Sequence, residues 1–457
     1  MEIWQIVPVI YLFLGLCLFF VTALRPRFFW IFLTIISVGA VGLILVPKSP
    51  YCVPLVDELL VGSISAGAVL ALMMGAVKVA KKPLTVLGKI HWIFFFVLAG
   101  YMLLQSIRGF LLWQNVLLLR WICFYLLIAV VAFLTSNTDL PVPKKPVLIR
   151  TILWSMFAYI VAYFAHGFYT QYVLGISYYS LTIQGVQWAG AGYALFALVA
   201  AIPAAIINLR GNTRAQKWLS LSVIALILIA GNVYDSRAVF VAIALFFLIS
   251  PTILGLRRII PMALVGIIAV LFFYGSTLLV FLGTMTQTVT FNYAADSGRW
   301  TIMHAAADAI TQNTGNFLFG YGIHSHHYVL APFMRDAGAI INFDYSQVTK
   351  PGQELSVKTA ESSLPDYVRV TGFGGLLTDI GLVGASLFIL VFLLAAMRLL
   401  VARDPSRFLL LVALGLAAAW MMFSKTEDIV LVWLMLMPSG ILFHLVRPER
   451  EPSEGGG

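Results

Sequence analysis

The chain alternates between long apolar segments and short polar loops. A bilayer core of about 30 Å is crossed by roughly 20 apolar residues in a helix. The segments that meet this requirement are 4–24, 29–47, 57–77, 88–106, 110–135, 147–165, 188–209, 218–232, 237–255, 259–283, 373–397, 407–423 and 428–446. The pattern therefore predicts an all-α polytopic membrane protein with about 12–14 transmembrane helices.

One long segment, 284–371, interrupts this alternation. The predicted organisation is ten spans with short loops in 1–283, this large loop, the C-terminal spans in 372–450, and a tail at 451–457 whose Glu-Gly-Gly-Gly ending is typical of a tag or cleavage scar. The first apolar segment lacks the basic start and small-residue cleavage site of a signal peptide. We therefore expect it to remain as a helix of the mature protein.

Composition supports lipid as the main solvent. Of the 457 residues, 61% are hydrophobic and 11% are charged, whereas soluble domains carry about 25% charged residues. Three cysteines are too few for a disulfide framework and show no metal-ligand spacing. The sequence has no P-loop and no dinucleotide fingerprint, which argues against ATP-driven work by this chain alone.

The net charge of +10 is explained by basic residues that gather in the loops on one side of the predicted spans. Alternate loops on one side of the predicted spans carry 19 of the 29 lysines and arginines, and the opposite short loops carry only four. The positive-inside rule makes the basic side cytoplasmic, so the loop 284–371 is expected to face outward. The charge therefore gives no reason to expect a nucleic-acid partner.

Two arginines on the outward side occupy helix starts. Arg237 follows Asp235-Ser236 at the start of a predicted span, and Arg299 lies in the first turn of a helix that opens at Asp296-Ser297. A cation is unfavourable at a helix N-terminus, whereas the guanidinium fork suits a phosphate or pyrophosphate. The alternatives are that Arg237 reaches lipid headgroups or pairs with Asp235, and that Arg299 is an ordinary surface residue.

The outward loop also holds candidate acids and bases. The turn Phe319-Gly320-Tyr321-Gly322 brings backbone close to its surroundings. It is followed by three histidines that suit a general base, a metal site or a hydrated hydrogen-bonding cluster. The remaining polar candidates stand at the end of the loop. The candidates for the base are His324, His326, His327, Glu361 and Asp366, and Arg369 is a candidate for binding substrate.

Asp379 lies inside an apolar predicted span and needs a partner, because an unpaired charge in lipid is costly. Arg120, inside another span, is a candidate partner. Small residues around Asp379 (Gly374, Thr378, Gly381 and Gly384) predict close packing of this helix.

Aromatic residues gather in another outward loop, 166–187. Tyr169 and Tyr172 there, like Tyr321, suit sugar stacking and hydrogen bonding. An interfacial aromatic belt explains the same loop equally simply.

Taken in order, four motifs resemble the O-antigen ligase and polymerase superfamily over roughly residues 218–397. They are Ser236-Arg237, Ser297-Gly298-Arg299, Phe319-Gly320-Tyr321-Gly322, and Leu377 with Gly381-Leu382 and Gly384.

The resemblance implies a glycosyltransferase of the GT-C type that needs no metal or other cofactor and works at the periplasmic face of the bacterial inner membrane. It implies an undecaprenyl-pyrophosphate-linked glycan donor clamped by Arg237 and Arg299, an acceptor that is another carrier-linked glycan or lipid A–core, surrounding membrane lipids, and a chain-length regulator as a further partner. Without a metal, the positive charge of the two arginines would stabilise the leaving pyrophosphate.

The sequence departs from the ligase pattern at one place. Ligases carry a His-Asn just before the last motif, where this chain has Val370-Thr371. The departure favours a polymerase of O-antigen or exopolysaccharide repeat units over a ligase. Two alternatives stay open: a flippase or secondary transporter for lipid-linked sugars, and a metal-dependent GT-C transferase using Asp57-Glu58.

Overall fold

A computed structural model provides the coordinates of the chain. The structure describes residues 3–37, 56–79, 85–113, 119–168, 197–211, 213–233, 243, 245–254, 306–323, 325–326, 329, 372–402 and 404–423. These residues are almost entirely helical and contain no strand, only an isolated antiparallel bridge between Val79 and Thr138. The all-α prediction is confirmed for this part of the chain.

Twelve α-helices are numbered here in chain order among the described residues. They are α1 Ile3–Leu24, α2 Phe29–Ser37, α3 Val56–Met73, α4 Val86–Trp113, α5 Leu119–Asn137, α6 Lys145–Phe168, α7 Ile202–Leu209, α8 Arg214–Val233, α9 Pro251–Leu254, α10 Thr314–Phe319, α11 Gly372–Val401 and α12 Arg407–Phe423. A 3-10 turn, Pro26–Phe28, precedes α2, and a π-helical turn, Ala197–Ala201, precedes α7.

By length and composition, two of the described helices can cross a membrane. They are Val86–Leu112 within α4 and Gly374–Val401 within α11. A third candidate is the pair Val9–Leu24 and Pro26–Ile36, whose axes bend by 120°. The bend falls at Pro26, which has no N–H for a helical hydrogen bond and stands at the start of the new helix.

The apolar residues divide between an interior and an outer surface. Among the largest buried side chains are Trp30, Tyr159 and Phe95. Apolar side chains on the opposite helix faces are exposed, including Phe13 of α1 and Leu104 of α4. An apolar outer surface of this kind suits lipid, because lipid tails solvate leucine and phenylalanine as well as a protein core does.

A small residue allows the close packing of two helices near the start of the chain. Helices α1 and α3 are in extensive contact. Gly67 of α3 lies against the backbone of α1 at Phe19, where a Cβ atom would overlap the Phe19 carbonyl oxygen. Helix α7 lies in the interior, since each of its residues is buried.

Polar contacts join the helices at both ends of the bundle. At one end, Lys78 N–H donates to the Asp139 carboxylate at 2.6 Å, and Lys145 Nζ lies 2.9 Å from Asp404 Oδ2. Partial burial alone would raise the pKa of Asp404, but hydrogen bonds from Ser406 and Lys145 outweigh it and lower the pKa to about 2. At the other end, the Arg108 guanidinium donates to Asn316 Oδ1 at 3.4 Å.

Several observed helix bounds differ from the predicted segments. Residues 110–113 of the predicted span 110–135 belong to α4, and α5 covers Leu119–Asn137. Helix α4 continues past residue 106 to Trp113, so Arg108 lies within a helix rather than in a loop. The Arg108 guanidinium has a polar partner at that end of the helix, Asn316. Helix α11 covers the predicted span 373–397 but is kinked inside it. The predicted spans 259–283 and 428–446 lie outside the described residues.

Candidate functional site

The kink in α11 lies at Gly381, whose backbone angles (φ 62°, ψ −171°) are not helical. This residue stands nine positions after the start of the helix, about 13 Å along its axis at 1.5 Å per residue. Each carbonyl of an α-helix normally accepts from the N–H four residues later. A non-helical residue interrupts that ladder, and the carbonyls beside it need other donors because lipid offers none.

The donors come from the turn Gly320-Tyr321-Gly322. Tyr321 N–H donates to the Thr378 carbonyl and Gly322 N–H donates to the Asp379 carbonyl, each at 2.9 Å. The turn follows α10, which is capped by the Asn313 side chain accepting from Gly315 N–H at 2.7 Å. Two sequence motifs that are about sixty residues apart therefore form one hydrogen-bonded unit.

Glycine is required on both sides of this contact. Gly320 (φ 71°, ψ −170°) and Gly381 occupy a backbone region that is open essentially to glycine alone. A Cβ atom built on Gly320 would lie 2.6 Å from Gly381 N, and one built on Gly381 would lie 2.6 Å from the Leu318 carbonyl oxygen. Any side chain at either position would separate the turn from the helix.

Helix α4 forms the third wall of the site. Ile323 N–H donates to the Gln105 carbonyl at 3.0 Å. Gly322 (φ 103°) packs directly on the backbone of Gly109. One turn closer to the N-terminus of the same helix, the Tyr101 hydroxyl donates to the Ile380 carbonyl at 2.7 Å. The backbones of α4, the turn and α11 are thus held together at the kink.

The most polar feature of the site is the pair His326–Asp379. His326 N–H donates to Asp379 Oδ1 at 2.9 Å, and His326 Nδ1 lies 2.8 Å from Asp379 Oδ2. The two residues are 1% and 0% exposed. Tyr125 of α5 is also buried and lies close enough to interact electrostatically with the Asp379 carboxylate. The partner that the sequence left open for Asp379 is therefore a histidine of the segment 284–371.

The side chain of Arg120, the partner suggested from the sequence, lies outside the described residues. Two further predicted site residues are described. Tyr321 is half-buried, and its hydroxyl donates to the Ala309 carbonyl at 2.8 Å, which joins the turn to the segment before α10. His326 is the residue paired with Asp379. The other candidates all lie outside the described residues: Arg237, Arg299, His324, His327, Glu361, Asp366, Arg369, Tyr169 and Tyr172.

Sequence reasoning missed three parts of the site. The kink itself was missed because Gly381 stands among other small residues of a predicted span, where a glycine also fits a straight, closely packed helix. Tyr101 and Gln105 were missed because they carry no motif, and Gln105 contributes through its main-chain carbonyl. One signal was available in the sequence. The turn contains glycines, which tolerate a positive φ, and another glycine, Gly381, follows two residues after Asp379.

No group of three or more His, Cys, Asp or Glu side chains that could hold a metal ion occurs among the residues that the structure describes. In comparisons with known proteins, no family model matches the chain and no curated protein sequence matches it.

Proposed function

We propose that the chain is a polytopic membrane glycosyltransferase. In this proposal it polymerises undecaprenyl-pyrophosphate-linked oligosaccharide repeat units at the periplasmic face of the bacterial inner membrane. The proposed protein has about 12–14 spans, which include the described helices. Residues 284–371 form a lid over the site. The product is an O-antigen or a related exopolysaccharide.

The observation that carries the proposal is the contact between the turn Gly320-Tyr321-Gly322 and the kink of α11. These two segments hold two of the four motifs on which the resemblance to O-antigen polymerases and ligases depends. Their contact supports reading the motifs as parts of one site rather than as separate chance matches. The same contact brings a histidine and a carboxylate together within an apolar bundle.

The polar contacts at the bundle ends support the proposed sidedness. Lys78 with Asp139, and Lys145 with Asp404, join loops that the positive-inside rule assigns to the cytoplasm. Arg108 with Asn316 joins two segments assigned to the outside. The kink lies toward the second end, where a lipid-linked glycan on the outer leaflet would be reached.

In the proposed reaction, the hydroxyl of the acceptor glycan attacks the anomeric carbon of the donor glycan. The bond from that carbon to the pyrophosphate oxygen breaks, and its electron pair leaves with the pyrophosphate. Arg237 and Arg299 stabilise the growing negative charge, which is electrostatic catalysis by cations already in place. A base from the outward loop takes the hydroxyl proton.

The experiment that tests the proposal uses the purified full chain in lipid nanodiscs. Carrier-pyrophosphate-linked repeat units are supplied alone, with lipid A–core, or with a metal chelator. Lengthened carrier-linked chains are expected in every arm. Label appearing only on lipid A–core would make the protein a ligase, and activity lost with chelator would overturn the metal-free mechanism.

Arginine variants test the clamp. Arg237→Ala and Arg299→Ala are each expected to lower turnover about a hundredfold or more, the effect of losing one charge-stabilising donor. Arg150→Ala is the matched control, because Arg150 is exposed on α6 near the opposite end of the bundle. Normal turnover in both clamp variants would show that these arginines do not bind the leaving group.

A secondary transporter for lipid-linked sugars is the second candidate. It is favoured by the kinked α11, since transporters use interrupted helices with polar groups at mid-membrane, and by the buried His326–Asp379 pair. Proteoliposomes loaded with a lipid-linked sugar distinguish the two. Transfer of the unlengthened lipid between leaflets, with no new glycosidic bond, would favour transport and refute the polymerase.

A further inference from the structure

Arg108, near the C-terminal end of α4, is a cation that has no acidic partner among the residues that the structure describes. Its guanidinium donates to the side-chain carbonyl of Asn316 at 3.4 Å, which is a long contact with a neutral group. At the opposite end of the bundle, Lys145 lies 2.9 Å from the Asp404 carboxylate, so those two charges offset each other. The charge of Arg108 is not offset in this way.

Arg108 stands beside the contact between α4 and the turn that docks at the kink. The next residue, Gly109, packs on this turn, and the Gln105 carbonyl, one helical turn earlier, accepts from Ile323 N–H at 3.0 Å. The side chain of Arg108 reaches Asn316 of α10, the helix that leads into the same turn. Unlike the buried Gln105, Arg108 is partly exposed, so its guanidinium is open to a ligand.

The exposed neighbours of Arg108 on the helix surface are apolar. Residues three or four apart are neighbours on a helix, and on either side of Arg108 Leu104 is 64% exposed and Leu111 is 65% exposed. Val97, two turns before Leu104 on the same face, is 50% exposed. Arg108 lies about 6 Å before the end of the candidate span at Leu112, at 1.5 Å per residue. A cation at this depth beside an apolar stripe fits a phosphate that is joined to a hydrocarbon chain.

Asn316 holds Arg108 without neutralising it. A guanidinium has five N–H donors, and one of those on Arg108 points to the Asn316 amide oxygen. An aspartate at this position would hold the same side chain and cancel its charge, whereas asparagine orients it and leaves the charge for an anion. The fork of donors on a guanidinium matches two oxygens of a phosphate.

We propose that Arg108 binds a phosphate of the polyprenyl carrier lipid, with Asn316 orienting the guanidinium and the exposed stripe at Leu104 and Val97 receiving the hydrocarbon chain. The inference rests on the proposed function, because that function supplies the carrier. Arg108 binds the carrier equally before and during the reaction, so it lowers KM and leaves kcat unchanged. Stabilising the leaving group remains the part of Arg237 and Arg299.

The direct test titrates tritiated undecaprenyl pyrophosphate against the purified full chain in detergent micelles. Arg108→Ala is expected to weaken its affinity about tenfold to a hundredfold, the range for one hydrogen bond to a charged group. Asn316→Asp is expected to weaken it about tenfold, because the new carboxylate competes with the phosphate for the guanidinium. Arg150→Ala, at the opposite end of the bundle, is the control and should bind normally. Normal affinity in Arg108→Ala would overturn the inference.

The variant Asn316→Asp also separates anion binding from a structural role. A salt bridge would hold α4 to α10 at least as well as the amide does, so the free energy of unfolding of this variant should not fall. If Arg108 served only to join the two helices, Asn316→Asp would bind the carrier as the wild type does. That result would refute phosphate binding.

Competing ligands identify the source of the phosphate. Unlabelled phosphatidylglycerol and inorganic pyrophosphate should each displace the carrier at least about tenfold less well than unlabelled undecaprenyl pyrophosphate, since one lacks the second phosphate and the other the hydrocarbon chain. Equal displacement by phosphatidylglycerol would make Arg108 an anchor for bulk lipid headgroups. Equal displacement by free pyrophosphate would remove the role of the apolar stripe. Either outcome would overturn the proposal.

Turnover assays separate the failure of this inference from that of the proposed function. Arg108→Ala should raise KM for carrier-linked repeat units about tenfold or more while kcat stays within about threefold. A lower kcat with normal carrier affinity would make Arg108 a catalytic residue and contradict the binding role. If the wild type bound the carrier through Arg108 but made no glycan product, the proposed function would fail and the binding site would stand.

Discussion

Replacing Gly320 with alanine should separate the turn Gly320-Tyr321-Gly322 from the kinked helix. Gly320 has a backbone conformation that is open essentially to glycine alone. An added Cβ atom would lie 2.5 Å from the carbonyl carbon of Asp379. That neighbour is backbone, so it cannot rotate away as a flexible side chain would.

The size of the effect can be bounded from the two ways in which the protein can respond. If the turn stays docked, alanine in this backbone region costs about 1–3 kcal/mol in addition to the overlap. If the turn leaves, the carbonyls of Thr378 and Asp379 lose their partners, at about 1–3 kcal/mol each. The first response therefore lowers the free energy of unfolding by more than about 1–3 kcal/mol, and the second lowers it by about 2–6 kcal/mol.

Two other glycines separate the causes. Gly75 has a positive φ of 74° but nothing within 4 Å of an added Cβ atom, so Gly75→Ala reports backbone strain alone, about 1–2 kcal/mol. Gly100 lies within α4 in open space, so Gly100→Ala is expected to be neutral or slightly stabilising.

The assay is equilibrium unfolding in mixed micelles, in which increasing fractions of denaturing detergent unfold the purified chain while circular dichroism is recorded. The expected order of stability is Gly100→Ala, then Gly75→Ala, then Gly320→Ala. If Gly320→Ala were as stable as Gly75→Ala, the close approach of the turn to Asp379 would not exist in the folded protein.

Three further predictions concern other parts of the bundle. The pKa of Asp404 is lowered to about 2 in the folded chain, so its ion pair stabilises the fold above about pH 4 and this stabilisation is lost as the pH falls through 2. In acid unfolding, Asp404→Asn should lack this pH-dependent loss of stability. Tyr101→Phe removes the donor to the Ile380 carbonyl and should cost about 1 kcal/mol in the micelle assay, and no loss would refute that contact. Cys17 and Cys123 are exposed on apolar helix faces, so in intact membranes a charged maleimide should label neither, because a charged reagent does not enter the hydrocarbon core; rapid labelling would place these faces in water.

Local signals in the sequence were enough to predict individual helices. The segment predicted as 407–423 is the helix Arg407–Phe423. Its start is marked by Asp404-Pro405-Ser406, where the Asp404 carboxylate accepts from Ser406 N–H at 2.8 Å. A start signal of this kind acts within a few residues, so it can be read without knowing the rest of the fold.

The site depends on contacts that the sequence does not encode locally. The sequence showed that Asp379 needs a partner and suggested Arg120. It did not point to His326, because the partner depends on how distant segments meet. The kink at Gly381 has the same origin. It is stable only because the turn at Gly320 supplies donors from about sixty residues away, and hydrophobic periodicity contains no such information.

The docked turn also bears on how the protein is made. Residues 319–326 leave the ribosome before α11 does, so the donors at Tyr321 and Gly322 are synthesised before the carbonyls that they bind. The carbonyls of Thr378 and Asp379 can then be paired as α11 enters the bilayer, without a period of exposure to lipid. A circular permutation that placed α11 ahead of the turn would reverse this order of synthesis, and it should slow membrane insertion even though every contact of the finished fold were retained.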